Sequence, residues 1–210
     1  MTQADDHKKA RGKLIVISGP SGVGKSTITR EVIGRLEEAY LSVSMTTRPR
    51  AAGEQDGREY WFVSRDEFRR RIEAGLFLEY AEVFGNLYGT PRDKTDEALR
   101  AGKTVILEID VQGAKQVKAM CPRVVMIFIL PPSDRVLAER MGNRGRESAE
   151  AAKQRLDKAD SEIAAAWQYY NNMVINDDLE QAVKEVVEII RQAPAVDRKP
   201  DTDQELVGER

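Results

Sequence analysis

At 210 residues the chain can bury a sizeable core in one domain, and its 33 Lys and Arg against 35 Asp and Glu leave a formal net charge of −2. That balance argues against a protein held to nucleic acid mainly by phosphate neutralisation, and a single cysteine, Cys121, excludes both an internal disulfide and a cysteine metal cluster. Residues 1–11 lack the apolar stretch of a signal peptide, and the longest apolar run, Val124 to Leu130, is too short for a bilayer. The expectation is a cytoplasmic protein with no membrane and no nucleic-acid partner.

In chain order, residues 1–11 read as a disordered tail, as do residues 193–210, because both are charged and without apolar period. Lys13–Ser18 is an apolar-rich strand, and a helical pattern runs from about Lys25 to Glu38. Between them, Gly19-Pro20-Ser21-Gly22-Val23-Gly24-Lys25-Ser26 fits G-x-x-x-x-G-K-[ST] at every fixed position, with Thr27 following. Strand, glycine loop and helix N-terminus together cradle a polyphosphate. Backbone N–H groups point inward, Lys25 adds positive charge, and the Ser26 hydroxyl can ligate Mg²⁺. The loop implies a nucleoside triphosphate.

From about Leu41 to Thr90 the pattern changes to a mixed α+β insertion, with short strands at Tyr60–Val63 and Phe77–Val83. Ser64-Arg65-Asp66-Glu67 fits a capping box, and Gly75 is placed to stop that helix. Arg48 and Arg50, with the Tyr60 hydroxyl nearby, suit a second phosphate group or, equally, a solvated basic loop. Glu79 interrupts an apolar strand, where a carboxylate requires a donor partner.

Further strands are expected at Thr104–Asp110, Val124–Leu130 and Asn172–Ile175, alternating with helices at Val111–Met120 and Ser148–Tyr170. A last helix after Asp178 puts Ala182, Val183, Val186, Val187 and Ile190 on one stripe. Alternating βα units with apolar strands indicate a parallel sheet covered on both faces. Pro131 to about Arg155 carries Arg135, Arg140, Arg144, Arg146 and Arg155, interrupted by Gly142 and Gly145, and is expected to be mobile.

Taken together, the phosphate loop, Ser42–Arg48, Gly57–Val63, Phe77–Ala81, Asn86–Thr90, Glu108–Gly113 and Arg144–Ser148 resemble guanylate kinase in order and spacing. The resemblance implies an α/β P-loop NTPase fold in three layers, spanning 12–192. Its core would comprise 12–40, 95–131 and 156–192, its GMP-binding insertion 41–94 and its arginine lid 132–155. It implies phosphoryl transfer from ATP to GMP with Mg²⁺. Ser44, Glu79, Thr90 and Asp110 would contact guanine, while Arg48, Arg50, Tyr60 and Tyr88 would hold the GMP phosphate. Arg140, Arg144 and Arg155 would close over the transferring group. Glu108 or Asp110 could orient metal-bound water, and Asn176-Asp177 could border adenine. One departure stands out: the family spaces its two phosphate arginines three apart, whereas Arg48 and Arg50 are two apart and Ala51 fills the usual column.

Guanine chemistry points the same way. N1–H and the 2-amino group are adjacent donors that one carboxylate can accept, whereas adenine turns an unprotonated N1 to that edge. A non-enzymatic binding module of the same fold, a kinase for another phosphorylated acceptor, and a switch NTPase without a second substrate remain alternatives on sequence alone. Oligomeric state is left open.

Overall fold

Leu14 to Ile17 are four successive aliphatic residues within Lys13–Ser18 (β1), so both faces of this strand need cover. The computed structural model describes residues 12–142 and 149–196. After β1 come α1 (Lys25–Gly34), β2 (Ala39–Leu41), β3 (Met45–Thr46), β4 (Trp61–Phe62), α2 (Arg65–Glu73), β5 (Phe77–Val83) and β6 (Asn86–Pro91). They are followed by α3 (Arg92–Arg100), β7 (Thr104–Glu108), α4 (Val111–Met120), β8 (Val125–Leu130), α5 (Asp134–Gly142), α6 (Ala149–Tyr169), β9 (Asn172–Ile175) and α7 (Leu179–Gln192).

β1 is the middle strand of a parallel sheet ordered β2-β7-β1-β8-β9. Alternation along the strands divides the core in two. Leu14 and Val16 pack with Leu107, Phe128, Ala114 and Val117 on one side. Ile15 and Ile17 pack with Ile28, Val32 and the α7 stripe of Val183, Val186 and Ile190 on the other. Helix, sheet and helix form three layers, as expected. Fully burying each such aliphatic side chain contributes about 1.5–3 kcal/mol.

Register brings the functional segments to one edge. Ile17 is level with Glu108, Ser18 with Phe128, and Leu130 with Ile175. The phosphate loop, Asp110 and Asn176 therefore all leave the carboxyl ends of neighbouring strands, where parallel α/β sheets bind ligands.

Residues 45–91 build a second sheet, ordered β4-β3-β6-β5, whose β3–β4 pair is parallel and whose other pairs are antiparallel. Its small core centres on Phe68 and Phe77, whose rings stack with centroids 4.4 Å apart. Half of the expected capping box forms: Ser64 Oγ accepts from Glu67 N over 3.1 Å. The Glu67 carboxylate turns instead to Arg70 and Arg71, each at 2.8 Å. Gly75, at φ 64°, ends α2, and the Leu76 N–H reaches back to Arg71 O over 3.0 Å.

Boundaries expected at Tyr60–Val63, Val124 and Tyr170 each differ by one residue, at Trp61–Phe62, Val125 and Tyr169, and three others differ by more. The helix predicted to reach Glu38 stops at Gly34. Glu38 turns to φ 57° and its carbonyl accepts from Thr104 N over 3.0 Å, which starts the β2–β7 pairing. The strand predicted to Asp110 ends at Glu108. Asp110 instead caps α4, its Oδ1 accepting from Gly113 N over 2.9 Å. Packed structure also continues beyond residue 192: Val196 is buried, and its N–H donates to Gly12 O over 3.0 Å.

Candidate active site

Val23 anchors the phosphate loop. Its side chain is fully buried. Its carbonyl accepts from Asn176 Nδ2 at 2.7 Å and from Arg140 Nη1 at 3.4 Å. Arg140 also donates to Asn176 O at 3.2 Å, so α5 and the end of β9 are fastened to the loop. Gly22 and Gly24 take positive φ of 83° and 99°, a conformation L side chains resist. Gly24 is the N-cap of α1 and no side-chain cap bond occupies the first backbone N–H groups of the helix, leaving them available to an anion. Lys25 Nζ folds over the loop, donating to Gly19 O at 2.5 Å and Pro20 O at 3.1 Å. One residue on, Ser26 Oγ donates to Glu108 Oε1 at 2.6 Å.

Across a cavity of about 290 Å³, the insertion presents Ser44, Tyr60, Glu79 and Tyr88, facing Gly19, Ser21, Lys25 and Asp110. Glu79 is 5 % exposed, and its Oε1 accepts from Thr90 Oγ1 at 2.6 Å. Burial pushes its carboxyl up to about 7, the Asp110 charge adds to this, and the bonds from Thr90 oppose it. The second oxygen of Asp110, Oδ2, is buried without a hydrogen-bond partner among the described residues. A buried, unpaired carboxylate oxygen beside Glu79 calls for an incoming N–H or O–H.

Arg48 stands behind the tyrosines. Its guanidinium lies 5.4 Å from the Tyr60 ring centroid and bonds Glu54 Oε1 at 2.7 Å and Pro49 O at 2.8 Å. Tyr60 and Tyr88 meet edge to face at 5.8 Å. Burial first, then the charge of Tyr88, raises the Tyr60 hydroxyl, keeping it a neutral donor. Arg50 is different: it is exposed, and the neighbouring Ala51 N–H is taken by Glu54 Oε2 at 2.8 Å.

The phosphate loop and the insertion thus line one cavity together with buried Glu79 and half-buried Asp110. The sequence matches the guanylate kinase family model over residues 11–193. The chain belongs to the guanylate kinase family. It is 46% identical over 187 residues to a guanylate kinase of Synechocystis sp., covering 89% of this chain and 97% of that protein. It is 48% identical over 182 residues to one of Symbiobacterium thermophilum, covering 87% and 86%. Among solved structures it resembles guanylate kinase from Anaplasma phagocytophilum, with a TM-score of 0.72, 36% identity and coverage of 87% and 86%. Membership makes the chain an ATP:GMP phosphotransferase, a nucleoside monophosphate kinase.

Of the residues expected from sequence, Lys25, Ser26, Ser44, Tyr60, Glu79, Tyr88, Thr90, Glu108 and Asp110 come together. Arg144 lies outside the described residues; Arg155 belongs to α6. Asn176, expected at the adenine, spends its amide on Val23 O. Lys158 and Glu162 were not foreseen: both line the cavity from α6, and their spacing of three and seven residues after Arg155 is the signal that marks them. Burial raises the Glu162 carboxyl, against the attraction of Lys158 and Lys25. Lys158 also rests 4.7 Å from the Phe84 ring at the tip of the β5–β6 hairpin.

The family's use of Mg²⁺ fits this donor set. Ser26 Oγ and Glu108 Oε1 are hard oxygens within hydrogen-bond distance at the phosphate loop. Mg²⁺ in kinases keeps several waters and takes only one or two protein oxygens, so no larger carboxylate cage is needed.

Proposed function

We propose that ATP binds along Gly19 to Thr27 while GMP enters from the insertion side, and that the chain aligns the two for direct transfer of the γ-phosphoryl group. The single observation carrying this reading is the facing of Lys25 and the Glu79–Asp110 pair across one cavity. Glu79 accepts N1–H and the 2-amino group of guanine, with Thr90 orienting it and Asp110 Oδ2 taking a further donor. Ser44 donates to O6. Arg48, still holding Glu54, offers its remaining N–H groups to the GMP phosphate alongside the Tyr60 and Tyr88 hydroxyls. Arg50, shifted by one residue from the family pattern, reaches that phosphate only from solvent and contributes less.

The GMP phosphate is already anionic at pH 7 and the transition state is loose, so no strong general base is required. Lys25 exchanges loop carbonyls for the β and γ phosphate oxygens. Arg140 stiffens the loop from α5, and Arg144 and Arg155 supply positive charge from the lid segment 132–155. Ser26 would hold Mg²⁺ directly and Glu108 through water, and the ion supplies charge neutralisation on the phosphates. Asp110, committed to capping α4, is the weaker candidate for that role. Core 12–40, 95–131 and 156–192, with insertion 41–94, are the units proposed to move relative to each other. The reading places this chemistry in the cytoplasm, where ATP and GMP are its small-molecule partners.

A coupled assay with ATP, Mg²⁺ and each of GMP, AMP, CMP and UMP tests the reading. GMP is expected to exceed the other three by roughly 10⁴ or more in kcat/KM, because a buried polar site left unpaired discriminates strongly. Comparable use of AMP would overturn it.

A further inference from the structure

β5 is an edge strand of the insertion sheet, so the backbone groups on its outer side have no strand neighbour. Its ladder with β6 is irregular between Phe77 and Glu79, directly beside the residue read above as the guanine acceptor. Something other than regular pairing must fix the strand here.

Gln116 does so. Its Oε1 accepts from Tyr80 N at 3.2 Å and its Nε2 donates to Tyr80 O at 2.7 Å, so one carboxamide imitates a neighbouring strand for a single residue. Tyr80 directly follows Glu79. Gln116 is also the third member of a stripe with Asp110 and Gly113, spaced three apart along α4. A Cβ added at Gly113 would run into the Glu79 carboxylate, so this stripe lies flat against β5. Asp110 caps the same helix.

We propose that Gln116 is a positioning residue for guanine selection. By fastening Tyr80 to α4, it holds the Glu79 carboxylate at a fixed separation from Asp110, so that both the N1–H and the 2-amino group can be accepted. This rests on the reading of Glu79 as the guanine acceptor. A misplacement of about 1 Å at such a site is enough to cost up to roughly a hundredfold.

The experiment measures kcat and KM for GMP, for ATP and for inosine monophosphate, which keeps N1–H but lacks the 2-amino group. Gln116→Met, close in length and unable to pair, is expected to raise the KM for GMP roughly tenfold with KM for ATP unchanged. The preference for GMP over inosine monophosphate should narrow. Gln116→Glu, which keeps the acceptor for Tyr80 N–H and loses the donor, should fall between the two and serves where Gln116→Met folds poorly. In Glu79→Gln/Gln116→Met, the loss of preference should equal that of Glu79→Gln alone, since one residue acts through the other. Equal losses on both acceptors, or losses that multiply in the double variant, would reduce Gln116 to a packing role. If Glu79→Gln alone leaves the preference intact, the guanine reading has failed, and the proposal with it.

Discussion

Ser26 Oγ donates to Glu108 Oε1 over 2.6 Å, joining the first turn of α1 to the last residue of β7. The pair brings a hydroxyl and a carboxylate from opposite sides of the phosphate loop to one point. Replacing Glu108 by Gln keeps shape and removes charge. The Mg²⁺ concentration for half-maximal rate should then rise about 10- to 100-fold, the usual effect of losing an outer partner of a metal ligand. An Mg²⁺ titration matching the parent would exclude Glu108 from that role.

Lys25→Ala tests the donor side. Removing one well-placed cation from a transferring group should lower kcat by roughly 10²–10³. Lys25 Nζ donates to the Gly19 and Pro20 carbonyls of its own loop, so its loss should act on the loop more than on the core, and the melting temperature should stay within about 4 °C of the parent. Near-normal turnover, or a large loss of stability, would contradict this.

The raised Glu79 carboxyl gives a pH signature of known sign. Its proton is held more tightly in the folded chain, with a carboxyl near 7 against an ordinary 4.5. Protonation therefore favours folding, and this group's contribution declines as pH rises from about 4.5 to about 7. Glu79→Gln removes the decline, so the variant should gain in melting temperature over the parent as pH goes from about 5 to 8. A gap independent of pH would refute the assignment. Because guanine needs the ionised form, the parent's KM for GMP should also be about tenfold higher at pH 6 than at pH 8, referenced to Glu79→Gln to cancel the titration of GMP itself.

Arg48 and Arg50 should separate cleanly. Arg48 is half-buried among Tyr60, Phe62 and Glu54, and truncation to Ala should raise the KM for GMP about 10- to 100-fold. Arg50→Ala, at an exposed position, should change it by less than about fivefold. Ala51→Arg, which restores the family's column, should lower it. Equal effects at 48 and 50 would mean that Arg50 swings fully into the site.

Much of this was legible because local pattern and tertiary role agree. Lys13–Ser18, Phe77–Val83, Val111–Met120 and Asn172–Ile175 have the predicted limits, since their apolar periods match the faces they bury. The last helix begins after Asp178 as expected, and Asp178 Oδ1 caps it, accepting from Gln181 N at 2.7 Å. The misreadings fall where a distant partner decides. β2 is three half-buried residues whose existence depends on β7, and that pairing pulled Glu38 out of helix. Val196 stands alone in a polar stretch, and its burial in the core and its bond to Gly12 order it. In the site, motif residues were readable because loop chemistry dictates them. Lys158 and Glu162 were not, because their spacing from Arg155 marks only a shared helix face, and a solvated face and a cavity wall look alike along one helix.

The bond from Val196 to Gly12 has a practical meaning. Gly12 precedes β1 at the amino edge of the central sheet, whereas the proposed nucleotide sites lie at the carboxyl edge. Fusions grafted before Gly12 or after Val196 would start side by side, a sheet's length from the chemistry. A short bridge between those two residues would allow the chain to be opened elsewhere as a circular permutant with every strand keeping its neighbours.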